Sequence, residues 1–155
     1  MSDREIVDFL GSIELLEGRN DVELAALARL FRKRRLQAGE ILWRQGEPAR
    51  ELVFIVDGDV AVSLHVPGNR IVEIGTAGPG EMVGEVGLLD GGEHTMSVQV
   101  TTAATVLALG RRDFASLLAR RDPAAYRLKR RLASQFTARL RNQLGHLAVA
   151  LGDEV

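Results

Sequence analysis

Between Leu36 and Gly110 the chain is a succession of short apolar segments cut by glycine turns, and this punctuation limits its fold more than any other feature. Ile41-Leu42-Trp43 lies between Ala38-Gly39-Glu40 and Gln45-Gly46-Glu47-Pro48, both turn signals. Leu52-Val53-Phe54-Ile55-Val56 has the unbroken apolar character of a buried strand, and Asp57-Gly58-Asp59 predicts a turn after it. Val60, Val62 and Leu64 alternate with Ala61 and Ser63, which gives the next strand one core face. Pro67-Gly68-Asn69 predicts a hairpin turn into Ile71-Val72-Glu73-Ile74-Gly75, and Val98-Gln99-Val100 and Thr105-Val106-Leu107-Ala108-Leu109 follow. Strands this short, at this spacing, predict closure into a β-barrel or jelly roll of about eight strands.

Helical spacing is confined to the two ends. Ile6, Val7, Phe9 and Leu10 fall on one side of a short amphipathic helix over residues 3–10. Gly18-Arg19-Asn20 breaks that pattern, and Asn20 with Glu23 has the spacing of a capping box. Val22, Leu24, Leu27, Ala28, Leu30 and Phe31 then predict a second helix, with Arg32-Lys33-Arg34-Arg35 complementing the dipole at its C-terminal end. As a nucleic-acid patch this basic run is short and lacks interleaved aromatics. Arg111 to Leu118 predicts a short helix after the barrel. Asp122 as cap and Pro123 in the first turn begin a long one. Its stripe of Leu128, Leu132, Phe136, Leu140, Leu144, Leu147 and Leu151 is broader than a coiled-coil seam. Part of the stripe can close over the barrel and part can meet a second copy of the chain. Phe136, Leu140, Leu144 and Leu147 are the candidates for a dimer interface. The expected organisation is one α+β domain over 1–155, with N-terminal helices at 1–35, the β-roll at 36–110 and C-terminal helices at 111–151.

Composition narrows the function. With 155 residues, 46% of them hydrophobic, the chain can bury a sizeable core. Its net charge of −1 gives no overall pull toward nucleic acid or membrane. From Arg111 to Arg141 ten Lys/Arg face two Asp, so that segment carries +8 and the remainder −9; its arginines read as a solvated helix face. There is no cysteine, which excludes disulfides and thiolate metal sites. The N-terminus carries Asp3, Arg4 and Glu5 without an apolar run, and no stretch approaches the ~20 apolar residues of a membrane span. The expected location is the cytoplasm. His65, His94 and His146 are isolated, without the His-x-His of cupin metal sites, so a cupin-like metalloenzyme is disfavoured and no metal is expected. No Walker A motif, dinucleotide-binding glycine motif or nucleophile elbow is present, and the chain reads as a non-enzyme.

The stretch Gly80 to Val98, GEMVGEVGLLDGGEHTMSV, concentrates glycines around one carboxylate, Glu85. Turns of this kind expose backbone N–H groups and can cradle an anion. Together with Gly39-Glu40-Ile41, Gly46-Glu47, the Leu52-Phe54-Ile55-Gly58-Val60-Val62 pattern, Ala104-Thr105-Val106 and Arg112-Asp113-Phe114, it resembles the cyclic nucleotide-binding domain family from about Leu24 to the C-terminal helix. In that family 80–98 corresponds to the phosphate-binding cassette: Gly84-Glu85-Val86-Gly87-Leu88-Leu89, a turn at Asp90-Gly91-Gly92-Glu93, then His94-Thr95-Met96-Ser97-Val98. The resemblance implies a ligand, cAMP or cGMP, held by Gly84, Glu85, Val86, Gly87, Leu88, His94, Thr95 and Met96. It assigns Glu85 to the ribose 2′-hydroxyl, the alternative being an internal capping role. Thr95 falls where a hydroxyl reaches the phosphate, or guanine in cGMP-preferring members; the alternative is a strand-edge threonine. Gly84 and Gly87 are expected to let the ligand approach the backbone closely.

His94 departs from the family, which places an arginine there against the cyclic phosphate. Arginine is always charged and offers a fork of donors, whereas histidine is half protonated near pH ~6.5. Two readings follow. His94 donates from a ring nitrogen and binding is weak and pH-dependent, or the pocket is degenerate and the domain serves dimerisation or protein interaction. Met96 adds bulk where the family prefers a small residue. In the family the C-terminal helix lids the base and transmits occupancy to an effector protein, which the sequence does not identify. No helix-turn-helix DNA-binding domain fits within the 155 residues, so the expectation is a free-standing sensor module or a piece of a larger protein.

Overall fold

The structure, a computed structural model, describes residues 1–13, 16–18 and 20–153. Arg19, placed above in the break between helices, and the last two residues of the expected 1–155 domain lie outside them. In chain order the elements are α1 (Asp3–Ser12), α2 (Asp21–Ala28), β1 (Phe31–Leu36), β2 (Ile41–Trp43), β3 (Glu51–Val66), β4 (Arg70–Ala77), β5 (Met82–Val83), α3 (Glu85–Asp90), β6 (Ser97–Gly110), α4 (Arg111–Ala119) and α5 (Pro123–Asp153).

One antiparallel six-stranded sheet runs β1-β6-β3-β4, with β2 added on β6 and β5 on β3. The sequence expectation of about eight strands becomes six because β3 and β6 each continue through a bend. Asp57-Gly58-Asp59 does not turn the chain. It is the site of successive register shifts within β3, opposite Thr102 to Thr105 of β6. Gly58 has φ 85°, and a Cβ there would overlap the Ala103 carbonyl and lie 2.6 Å from Ala104 Cα. Only glycine permits this close crossing of two strands.

Period-two alternation along these long strands divides the interior into two cores. Leu52 and Phe54 of β3, with Leu107 and Leu109 of β6, face the helices and meet Ile6, Leu10, Leu24, Leu27, Phe114, Leu128 and Leu132. Their neighbours Val53, Ile55, Val106 and Ala108 face the other way, into a second core with Trp43, Val60, Val98 and Val100. The fold is therefore a β-roll with helices clustered on one side.

The basic run corrects the sequence expectation. α2 stops at Ala28, and Arg32-Lys33-Arg34-Arg35 lies in β1, paired in antiparallel register with Ala108, Leu107, Val106 and Thr105 of β6. Phe31 anchors this strand by packing its ring 5.8 Å from that of Phe54. Pairing with a long central strand outweighs the weak helical preference of a four-residue basic run. Arg34 Nη2 then reaches Oε1 of Glu51, the first residue of β3, at 2.7 Å. The N-terminal helical segment thus ends before residue 31, and the roll begins there.

The side-chain caps expected at Asn20 and Asp122 are both formed, at Asn20 as the Asn half of the expected capping box. Asn20 Oδ1 accepts from the Glu23 N–H at 2.8 Å and caps α2. Asp122 Oδ1 accepts from Ala124 N at 2.9 Å and Ala125 N at 3.1 Å, holding the first turn of α5. α5 is 31 residues long, about 46 Å at 1.5 Å per residue. Its first three turns are buried through Leu128 and Leu132; from Phe136 onward its apolar side chains are exposed or half-exposed.

Candidate ligand site

Where α5 passes the roll, a cavity of about 590 Å3 opens between them. This lies within the ~300–1,000 Å3 usual for small-molecule sites. Its walls come from three sides. Val62, Leu64 and Ile74 of β3 and β4 form an apolar wall; α3 and the loop behind it contribute Gly84 to Gly87 and His94 to Met96; α5 contributes Phe136, Arg139, Leu140 and Gln143.

α3 is set at its angle by its glycines. Gly84 precedes it with φ 91°, and a Cβ there would lie 2.8 Å from the Glu51 carbonyl oxygen and 3.0 Å from the Trp43 ring. A Cβ on Gly87 would overlap that of Ala49. These glycines allow protein to approach protein, and both also line the cavity. Behind α3 the turn is tied to the neighbouring loop by backbone bonds: Ala49 N to Gly92 O at 2.9 Å, His94 N to Glu47 O at 2.8 Å, and Gly46 N to His94 O at 2.9 Å. Arg111 Nη1 donates to the Gly91 carbonyl at 2.5 Å, anchoring the turn to α4.

Glu85 opens α3 and is 8% exposed. Its Oε1 accepts from Arg139 Nη1 at 2.8 Å, a charge-assisted bond that links α3 directly to α5. His94 is 6% exposed, and its imidazole lies flat on the Trp43 indole, ring centroids 4.0 Å apart and planes 3° from parallel. Burial pushes its pKa below the ordinary value of 6.5, against a weaker upward pull from the Glu47 carboxylate. The shift favours the uncharged ring relative to an ordinary histidine.

Of the residues expected to hold ligand, Gly84, Glu85, Val86, Gly87, His94, Thr95 and Met96 all line the cavity. Leu88 does not. It points to the opposite side of α3 and is buried in the helix-side core, because a six-residue helix must anchor one face in order to present the other. Phe136 and Leu140, expected at a dimer interface, line the cavity as well, while Leu144 and Leu147 are exposed further along α5. Trp43, Arg139 and Gln143 were not singled out from the sequence. The one tryptophan, in a three-residue strand, was a usable signal; Arg139 had one in its position three residues after Phe136 on the helix expected to form the lid.

Among the described residues no group of three or more His, Cys, Asp or Glu is placed to hold a metal, and no helix is long and apolar enough to cross a membrane. A family profile for the cyclic nucleotide-binding domain matches residues 33–121. The chain is 31% identical over 108 residues to a cyclic nucleotide-gated potassium channel of Mesorhizobium japonicum, covering 70% of this chain and 28% of the channel. The chain thus spans about a quarter of the length of the curated channel relatives it matches. Among solved structures, a cyclic nucleotide-binding domain from Methylobacillus flagellatus superposes with a TM-score of 0.80 at 24% identity, over 96% of this chain and 83% of that one. The catabolite activator protein of Thermus thermophilus superposes at 0.77 with 29% identity, over 88% and 62% of the two chains.

Proposed function

Because the chain belongs to the cyclic nucleotide-binding domain family, we propose that it is a non-catalytic regulatory module whose cavity binds a ribose-bearing ligand of the cyclic nucleotide class and whose helix α5 reports occupancy. The observation that carries this reading is Glu85. The carboxylate assigned to the ribose hydroxyl lines the cavity and holds Arg139 of the lid helix at 2.8 Å. A ribose 2′-hydroxyl donating to Glu85 competes with that guanidinium, so entry of ligand changes what α5 is fastened to. The base lies against Val62, Leu64 and Ile74 on one side and Phe136 and Leu140 on the other, and Gln143 offers an amide to its polar edge. A ligand shifts α5 only through contacts that differ between its two positions, and these residues supply them.

Beyond the cavity α5 carries Leu144 and Leu147, both more than half exposed, and we extend the proposal to a homodimer formed along this face. The effector that reads α5 is another protein or a further part of the same one, and the cytoplasm remains the proposed location.

A second reading is favoured by one observation, the uncharged and buried His94 where the family has a cation. On that reading the domain binds no nucleotide and serves protein interaction alone. Calorimetry with cAMP and cGMP at pH 6 and 7.5, alongside their 2′-deoxy analogues, separates the two. The ligand-binding reading expects saturable heat that weakens at least ~10-fold, about 1.4 kcal/mol, when the 2′-hydroxyl is removed. No heat from any ribose-bearing ligand at millimolar concentration overturns the ligand-binding reading.

A further inference from the structure

Among the described residues, three Asp, Glu, Lys or Arg side chains line the cavity: Glu81, Glu85 and Arg139. Arg139 is already paired with Glu85, which leaves the Glu81 carboxylate as the excess charge. His94 adds none at neutral pH, since its ring is buried flat against Trp43. α3, only six residues long, carries Glu85 in its own first turn, so a carboxylate already sits at the positive end of its dipole. The cavity is therefore net negative where the family places a cyclic phosphate. Elsewhere its lining is apolar, with Val62, Leu64, Ile74, Met96, Phe136 and Leu140.

Resting on the reading of this cavity as a ribose site, we infer that its preferred occupant at neutral pH is an uncharged ribonucleoside rather than a cyclic nucleotide. A nucleoside uses everything the site offers. Its ribose hydroxyls donate to Glu85, and its base fills the apolar space beneath α5. A cyclic phosphate adds an anion, and among the described residues the lining offers one Lys/Arg, Arg139, to serve both it and the carboxylates. Once the ribose hydroxyl has taken its place on Glu85, Arg139 balances only one of three neighbouring negative charges, Glu81, Glu85 and the phosphate. Desolvating an unpaired charge is costly, and bringing two like charges together adds to it.

The test is calorimetry on the full chain at pH 7.5 with adenosine, guanosine, cAMP and cGMP, repeated with Glu81→Gln and His94→Arg. The nucleoside of at least one pair is expected to bind ~10-fold or more tighter than its cyclic nucleotide. Glu81→Gln, at an exposed position, is expected to raise cyclic nucleotide affinity several-fold relative to that of the matching nucleoside. His94→Arg is expected to reverse the order of preference. Cyclic nucleotides binding as tightly as their nucleosides, or more tightly, in the unaltered protein overturns the inference and leaves the ribose site standing. Silence from all four ligands at millimolar concentration removes both.

Discussion

Arg139 and Glu85, 54 residues apart in the chain, meet at 2.8 Å beside the cavity, and this ion pair is what binds the midsection of α5 to the small helix α3. It is asymmetric. The Glu85 side chain is 11% exposed and that of Arg139 is 55% exposed, so removing the arginine strands a nearly buried carboxylate, whereas removing the glutamate frees a solvated guanidinium.

Arg139→Gln should therefore destabilise the chain more than its exposure suggests, by about 1–2 kcal/mol after allowance for solvent screening. Glu85→Gln should cost less, because Arg139 stays hydrated. Urea midpoints of the two variants check the order. Equal losses contradict the asymmetry.

The stack of His94 on Trp43 predicts a pH dependence of stability. The folded-state pKa of His94 lies below its ordinary value of 6.5, so the unfolded chain binds the proton more readily. Stability should fall as pH drops through 6.5 and level off below the depressed folded value. His94→Gln should flatten that part of the profile. Thermal melts between pH 7.5 and pH 5 test this, and an unchanged slope in the variant assigns it to other groups.

Gly87 lies so close to Ala49 that a Cβ on it would overlap that of Ala49. Gly87→Ala should push α3 away from the loop at Ala49 and cost roughly 1–3 kcal/mol. Pairing it with Ala49→Gly, which removes the opposing Cβ, should restore much of the loss. A double-mutant cycle with no coupling contradicts this contact.

The face formed by Leu144 and Leu147 predicts self-association. The double substitution Leu144→Glu and Leu147→Glu should convert a dimer to a monomer in sedimentation equilibrium, since it places like charges on both copies. A monomer before substitution, at the highest attainable concentration, contradicts the proposed dimer.

Much of this was legible in the sequence, for identifiable reasons. Turn chemistry is local, so Pro67-Gly68-Asn69 and the caps at Asn20 and Asp122 could be read directly, and the cassette residues lie close together in the chain. What escaped depends on distant partners. Arg32 to Arg35 form a strand because β6 lies beside them. Gly58 marks a bend and not a turn because Ala103 and Ala104 cross it. Leu88 alternates with cassette residues in sequence but falls on the core side of a short helix. Arg139 looked like one more solvated arginine, and only the approach of α5 to α3 gives it Glu85 as a partner.

The central claim is that Glu85 exchanges Arg139 for a ribose hydroxyl and so couples the cavity to α5. Hydrogen exchange across residues 136–147, with and without saturating ligand, tests it most directly. The account predicts that bound ligand raises protection over 136–143, where Phe136, Leu140 and Gln143 close on it, and that the 2′-deoxy form does so far less. Ligand that binds by calorimetry yet leaves exchange along α5 unchanged would contradict it.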